Sequence, residues 1–192
     1  MGVSRLNKVI IVAMLAAVSF VLLFIGFPVL PGFPFLKVDF ANVPILIGTV
    51  LFGPWWGMAT AGVAGLLDII FKDANPVGIL GVIANWMAAA LYVLPIYYWM
   101  RGSESLDHKK RDRKLAMGII IGTLLMTLIM SLANLFILLP LYMKLASFQI
   151  SISTLKMVLF GVVPFNLIKG IIVGIVIVLV YFRLIPILRK NA

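Results

Sequence analysis

The sequence has no cysteine, one histidine and only six acidic residues among its 192 residues. Without cysteine, disulfides, thiolate metal sites and thiol-linked lipid anchors are excluded. A single histidine, His108, rules out the HExxH zinc motif, and no Gly-Lys pair occurs, so a Walker-type ATP site is absent as well. These absences argue against an enzyme. They also mean that uphill transport by this chain would need an energy source outside it.

Charge is scarce overall: 11% of the residues are charged, 64% are hydrophobic, and the mean hydropathy is +1.20. Soluble domains carry about 25% charged residues. Most of the apolar runs are close to the ~20 residues that a membrane-spanning helix needs. We therefore predict an all-α integral membrane protein, with residues 1–192 forming a single domain of six transmembrane helices. The six runs are Val9–Phe27, Phe40–Phe52, Trp55–Phe71, Val77–Met100, Leu115–Met143 and Met157–Phe182.

The first two runs are unusual. The second has 13 residues, too few to cross a ~30 Å hydrocarbon core alone, so we expect it to cross only with help from the segment before it. The first follows Arg5 and Lys8, as the apolar part of a signal peptide would. Its 19 residues exceed that part's usual length, and no small-residue cleavage site follows. We expect a retained first helix.

Basic residues are concentrated before the first run, in the loop Arg101–Lys114 and after the last run. With four predicted helices before the loop and two after it, all three places lie on one face of the membrane. The positive-inside rule makes that face cytoplasmic. We predict a multi-pass cell-membrane protein with cytoplasmic N- and C-termini. This bias explains most of the net charge of +10 and argues against nucleic acid as a partner.

Several polar residues lie inside the apolar runs, where they cost free energy. A lysine halfway along the last run costs ~2.5–3.5 kcal/mol on insertion scales, so Lys169 should face a wet cavity, an anion or a ligand. Asn166 shares its helix face, and Pro164 can free backbone groups nearby. We predict that this pair binds a ligand, whereas Asn85 taken alone is more simply explained by a hydrogen bond between helices. The full set is Asp68, Asn85, Asn134, Asn166 and Lys169.

Pairs of small residues four positions apart let helix backbones approach closely in lipid. The spacing alone does not tell whether such a pair packs inside the bundle or against another protein. Three pairs occur, Ala13 with Ala17, Gly118 with Gly122, and Gly170 with Gly174.

The segment Phe27–Pro44, the lid segment below, interrupts the apolar runs with four prolines. Prolines reduce the entropy lost when a loop closes over a ligand. Lys37 and Asp39 project to the same side if the chain is extended there. Topology places this segment outside, so we predict a stiff lid over a pocket that accepts a small molecule, partly flat and apolar and partly hydrogen-bonding.

Three blocks of sequence, "LPGFPFLKVDFANVPILIGTVLFGP", "GILGVIANW" and "PFNLIKG", resemble the riboflavin-specific S components of energy-coupling factor (ECF) vitamin transporters. The resemblance spans nearly the whole chain. It implies an S-component bundle that binds riboflavin from outside, without a cofactor or a catalytic activity. Hydrogen bonds to the flavin are then expected from Asn134, Asn166 and Lys169, under a covering loop with Leu36, Lys37 and Asp39. We include Asn85 in the predicted site.

The resemblance also implies partners. The face of Ala13 and Ala17 would dock on a transmembrane coupling protein that carries two ABC-type ATPases, and ATP hydrolysis would drive the reorientation that carries the vitamin inward. One departure lies in "GLLDIIFKD", where Asp68 stands in a place associated with a Lys-Asn pair in relatives. Asp68 is more simply explained by an ion pair with Lys72, one helical turn away.

Two other functions are compatible with the residues. A proton-coupled secondary transporter of another small solute or vitamin could use Asp68 or Lys169 as its ion-linked group. An assembly subunit without a ligand would instead need Lys169 for folding.

Overall fold

The computed structural model describes residues 4–33, 36–72, 74–103, 106–146 and 153–183. Within these ranges the chain forms a bundle of six helices, five of them long and apolar enough to cross a membrane. The predicted all-α membrane class is confirmed. Helices α1 to α4 comprise Arg5–Phe24, Asn42–Phe52, Pro54–Phe71 and Pro76–Met100. Helix α5 runs from 108 to 146 as His108–Ala133, a π-helical turn Asn134–Leu138, and Leu139–Ala146; α6 runs from 154 to 183 as Thr154–Met157, a π-helical turn Val158–Val162, and Val163–Arg183.

Capping explains why some helices start earlier than the apolar runs. Helix α1 begins at Arg5 instead of Val9, because the side chain of Ser4 accepts a hydrogen bond from the backbone N–H of Asn7 at 3.2 Å. Asn75 caps α4 in the same way, accepting from the N–H of Gly78 at 2.8 Å. Hydropathy locates only the apolar part of a helix. The N-terminal ends of α1 and α4 are set instead by polar capping residues that lie outside the apolar runs.

Helix α2 lies in the interior. All eight of its residues from Asn42 to Thr49 are buried, and α1, α3, α4 and α6 pack around it. Because protein surrounds it instead of lipid, it need not span the bilayer, which agrees with the expectation that the second run is too short. Gly53, with φ of 97°, turns the chain directly into α3.

The two π-helical turns each end two residues before a proline, Pro140 in α5 and Pro164 in α6. Proline has no N–H and its ring collides with the carbonyl four residues earlier. The wider π turn makes room for the proline ring and tolerates the missing N–H, so the helix continues past the proline. The sequence predicted a loosened helix at Pro164, but it predicted neither the π geometry nor the matching turn before Pro140.

Two of the three small-residue pairs pack inside the bundle. A methyl group added to Gly122 would lie 2.6 Å from the carbonyl oxygen of Tyr92, and one on Gly174 would lie 2.6 Å from Cγ2 of Ile119. The fully buried Tyr92 donates a hydrogen bond to the carbonyl oxygen of Gly170 at 2.7 Å. These glycines therefore hold α4, α5 and α6 together.

The third pair behaves differently. Helix α1 buries only a narrow stripe, Val12, Ala16 and Ser19, among its residues, while Ala13 and Ala17 are exposed. The spacing is the same as in the internal pairs, but this one faces away from the bundle.

Adding a methyl group at Gly122 should test the internal packing. We expect Gly122→Ala to lower the free energy of unfolding by about 1–3 kcal/mol, because the backbone of α4 must move to admit it. The control is Gly62→Ala on α3, where the nearest atom would be Nε1 of Trp86 at 3.9 Å. Because the methyl group fits there, we expect no loss of stability and a gain of up to about 1 kcal/mol from the higher helix propensity of alanine. Thermal unfolding in detergent measures both. Equal effects would contradict close packing of α5 on α4.

Candidate functional site

A cavity of about 450 Å³ lies under the lid segment, between α4, α5 and α6. Its volume is within the roughly 300–1,000 Å³ of small-molecule sites. The structure brings every residue of the predicted substrate site to the lining of this one cavity. The lid segment contributes Leu36, Lys37 and Asp39, α4 contributes Asn85, α5 contributes Asn134, and α6 contributes Asn166 and Lys169.

The two asparagines on α5 and α6 are positioned by the π turns. Asn134 is the first residue of one turn, and its Nδ2 donates to the carbonyl oxygen of Met130 at 2.8 Å. Nδ2 of Asn166 donates at 2.9 Å to the carbonyl oxygen of Val162, the last residue of the other turn. Each amide is thus oriented by its own helix. Its carbonyl oxygen and its second N–H are the groups that can meet a ligand.

Lys169 has a protein partner that was not predicted from the sequence. Its Nζ donates to Oδ2 of Asp39 at 2.9 Å, and both residues are buried. The other oxygen, Oδ1, accepts the backbone N–H of Ala41 at 3.0 Å, where α2 begins, so the carboxylate also lies at the positive end of that helix. The lysine needs compensation, as predicted, and a carboxylate of the lid segment supplies it. The partners are 130 positions apart, so no local pattern in the sequence connects them.

The lid segment is more regular than predicted. Two short strands, β1 (Phe27–Pro28) and β2 (Lys37–Val38), pair antiparallel with Phe27 opposite Val38. Val38 is fully buried, while its neighbours Lys37 and Asp39 both line the cavity. This alternation is typical of an extended chain. Pro34, one of the four prolines expected to stiffen the segment, lies outside the described residues.

A second contact ties the lid segment to α6. A methyl group on Gly161, in the π turn of α6, would lie 2.8 Å from the ring of Phe33. Phe33 also packs against a small buried cluster that includes Leu139 and Met157. The lid segment is therefore held on α6 at two points, by the ring at Gly161 and by the ion pair at Lys169.

Much of the apolar lining of the cavity was not predicted from the sequence. Gly81, Ala84 and Ala88 of α4 line the cavity beside Asn85, and their small side chains form a low surface on that helix. These small residues stand at helical spacing around Asn85 in the sequence. Of these α4 residues, only Asn85 was predicted to line the site, because an amide side chain is costly in lipid. The remaining apolar and aromatic lining comes from Val77, Met130, Leu138, Leu139, Tyr142, Met157, Val162 and Phe165.

Asp68 does not line this cavity. Its Oδ1 lies 3.9 Å from Nζ of Lys72, which is the ion pair expected from their spacing. Among the described residues no group of three or more histidine, aspartate or glutamate side chains could hold a metal ion.

Comparison with known proteins gives consistent matches. A family model described as "ECF transporter, substrate-specific component" matches residues 7–181. "Riboflavin transporter RibU" of Staphylococcus aureus (strain TCH60) is 37% identical over 96% of this chain and 93% of its own length. "Riboflavin transporter FmnP" of Bacillus subtilis (strain 168) is 35% identical over 95% of this chain and 94% of its own length. A solved structure described as "Structure and mechanism of the S component of a bacterial ECF transporter" is similar with a TM-score of 0.77 and 36% identity, covering 97% of this chain and 99% of that chain.

The pair of Asp39 and Lys169 should behave as a coupled unit. We expect Asp39→Asn and Lys169→Met each to lower the free energy of unfolding of ligand-free protein, because each leaves a buried charge without its partner. The loss should be at most about 3–5 kcal/mol, and smaller where water in the cavity reaches the charge. The double variant should lose less than the sum of the two. Chemical unfolding in detergent gives the coupling energy, and additive losses would show that the two groups do not stabilise one another.

Proposed function

The chain belongs to the substrate-specific components of ECF transporters, and we propose that within this family it is the subunit that captures riboflavin. The observation that carries the proposal is the shared cavity. Residues from the lid segment, α4, α5 and α6 line a single space, and they include the positions that the sequence resemblance assigned to the vitamin. The family relatives named as riboflavin transporters match this chain over nearly its whole length.

The cavity lining suits the chemistry of a flavin. The polar edge of the flavin ring has an imide N–H between two carbonyl oxygens, and an asparagine amide offers both an acceptor and a donor to such an edge. Asn134 and Asn166 provide two amides, and Lys169 provides a cation for a carbonyl or ring nitrogen. The small side chains of Gly81 and Ala84 leave room for a flat ring against α4.

The ion pair also indicates the charge of the ligand. Since Asp39 neutralises Lys169 at 2.9 Å, the binding groups of the cavity do not need an anion to compensate the lysine. An anionic ligand would compete with Asp39 and leave a buried carboxylate without its partner, which costs free energy. Riboflavin, which is uncharged and rich in donors and acceptors, meets this condition.

The charge distribution gives the direction of capture. The lid segment lies at one end of the bundle, called the lid end. The basic residues of the predicted loop lie at the opposite end, called the basic end; contrary to that prediction, five of them are in the first turns of α5, which begins at His108, and only Arg101 precedes the helix. By the positive-inside rule the basic end faces the cytoplasm, and the start of α1 at Arg5 and the end of α6 at Arg183 lie there. The cavity then lies under an outward-facing lid, where it can take the vitamin from outside the cell membrane.

Helix α1 is proposed as the docking surface for the rest of the transporter. The glycine pairs of α5 and α6 are used for packing inside the bundle, whereas Ala13 and Ala17 are exposed. In lipid, small residues promote close approach of a second helix. The chain has no nucleotide motif of its own, so a coupling protein with two ATPases on this face would provide the energy. A proton-coupled mechanism is less well supported, because Lys169 and Asp68, the groups that it would use, lie in ion pairs.

Truncation of the polar side chains tests the proposed site. We expect Lys169→Ala and Asn166→Ala each to weaken riboflavin binding by about 1–3 kcal/mol, or roughly 5- to 150-fold, as the loss of a buried hydrogen-bond partner does. Lys156→Ala is the matched control, because Lys156 is an exposed lysine of the same helix that does not line the cavity. Quenching of riboflavin fluorescence by ligand-stripped protein measures each Kd. Unchanged affinity in both site variants would remove these residues from the site.

Enlarging the exposed alanines tests the docking surface. We expect Ala13→Leu with Ala17→Leu to keep riboflavin binding but abolish uptake by cells that hold the coupling protein and ATPases, because the larger side chains prevent close helix approach. The control is Ala59→Leu with Ala116→Leu, two exposed alanines on α3 and α5. Normal uptake in the α1 variant, or an equal loss in the control, would contradict docking through this face.

A further inference from the structure

The basic end of the bundle carries charges that its own helix does not favour. The first two turns of α5 hold five basic residues, Lys109, Lys110, Arg111, Arg113 and Lys114. The first turn has no acidic residue, and Asp107 before it makes no side-chain cap. The N-terminus of a helix is its positive end, so cations there are unfavourable, and like charges four positions apart repel one another. This cluster is therefore stabilised by anions from outside the helix.

Most of this charge is accounted for by its surroundings. Nζ of Lys114 donates a hydrogen bond at 3.1 Å to the carbonyl oxygen of Arg101, at the end of α4, where a cation is favourable. Water can solvate three exposed members of the cluster, Lys109, Lys110 and Arg113. Arg111 is different, because it is only partly exposed and its side chain reaches α6.

The guanidinium of Arg111 has no anion beside it. Its central carbon lies 5.7 Å from the centre of the Phe182 ring of α6, and Nη2 donates at 2.9 Å to Nδ1 of His108, in the tautomer that leaves this nitrogen unprotonated. Nε is buried without a hydrogen-bond partner, and no carboxylate oxygen of the described residues lies within 4 Å of the group. Because unpaired polar groups cost free energy when buried, Arg111 gains more from a bound anion than the exposed cations do.

The position of Arg111 next to lipid indicates the kind of anion. Phe182, which lies under the guanidinium, ends a row of apolar residues three or four positions apart on one face of α6. The other members of this apolar row are 59–63% exposed, Ile171, Ile175 and Leu179. On a membrane-spanning helix an exposed apolar face contacts acyl chains. Tyr98 and Trp99 are exposed near the end of α4, as is typical of the membrane interface. The guanidinium thus lies at the level of the lipid headgroups.

We propose that Arg111 and its basic neighbours bind the phosphate of an anionic phospholipid, whose acyl chains lie along the apolar row of α6. A guanidinium can bind a phosphate through two parallel hydrogen bonds. Clusters of about four to eight lysine and arginine residues beside a membrane helix attract anionic lipids. The lipid supplies the negative charge that the first turns of α5 lack. Because the site lies at the opposite end from the cavity, the inference is independent of riboflavin binding.

The dependence of stability on lipid tests this site. Protein in detergent micelles is heated with added phosphatidylglycerol or with the same amount of zwitterionic phosphatidylcholine. We expect phosphatidylglycerol to raise the Tm of the wild type by at least about 3 °C relative to phosphatidylcholine, because a ligand of the folded state stabilises it. Arg111→Gln should lose most of this difference. Arg111→Lys should retain part of it, because lysine keeps the charge but cannot form two parallel hydrogen bonds.

Arg113→Gln is the matched control, because it removes the same charge from an exposed residue of the same helical turn. It should keep the wild-type difference to within about 1 °C. The inference is wrong if the wild type responds equally to both lipids, or if the two glutamine variants lose the difference equally, which would indicate diffuse attraction without a site. An equal rise in Tm with soluble glycerol phosphate would assign the site to a free anion. Loss of vitamin uptake in Arg111→Gln with an unchanged lipid effect would assign it to an acidic partner protein, and both results contradict lipid binding.

Discussion

The ion pair between Lys169 and Asp39 joins the two parts of the protein that form the site. A lysine halfway along a membrane helix is tolerated only with a compensating group, and here that group is a carboxylate of the lid segment, 2.9 Å away. The same carboxylate accepts the N–H of Ala41 at the start of α2. Compensation of one costly charge therefore also fixes the lid over the cavity and orients the buried central helix.

Two amides of the site, those of Asn134 and Asn166, lie in or one turn after an interruption of regular helix. Pro140 and Pro164 each follow a π turn, and the two turns contact one another between α5 and α6. Asn134 is the first residue of one turn, and Asn166 lies four residues after the end of the other. Each donates a hydrogen bond to a carbonyl oxygen of its own helix, which holds the amide in place before a ligand arrives. In a membrane such interruptions are tolerated where they line a cavity. The interrupted helix backbone and the polar side chains, both of which are costly in lipid, thus border the same cavity.

The sequence was sufficient for the features that depend on local cost. Six helices, a second helix too short to span, and a polar cavity lined by Asn166 and Lys169 all follow from hydropathy and from the expense of polar groups in lipid. Features that depend on distant residues were not predictable. The partner of Lys169 lies 130 positions away, and the hairpin of the lid segment has strands of only two residues. Small residues with the same spacing pack inside the bundle at Gly122 but are exposed on α1 at Ala13.

The identity of the small molecule that purifies with the protein decides whether this cavity holds riboflavin. Protein isolated from riboflavin-containing cells, unfolded and analysed by absorbance and mass spectrometry, should release riboflavin at close to one molecule per chain. Protein with Lys169→Ala should release much less. Release of thiamine, biotin or another solute in place of a flavin, or no ligand from protein that also fails to quench riboflavin fluorescence, would contradict the account.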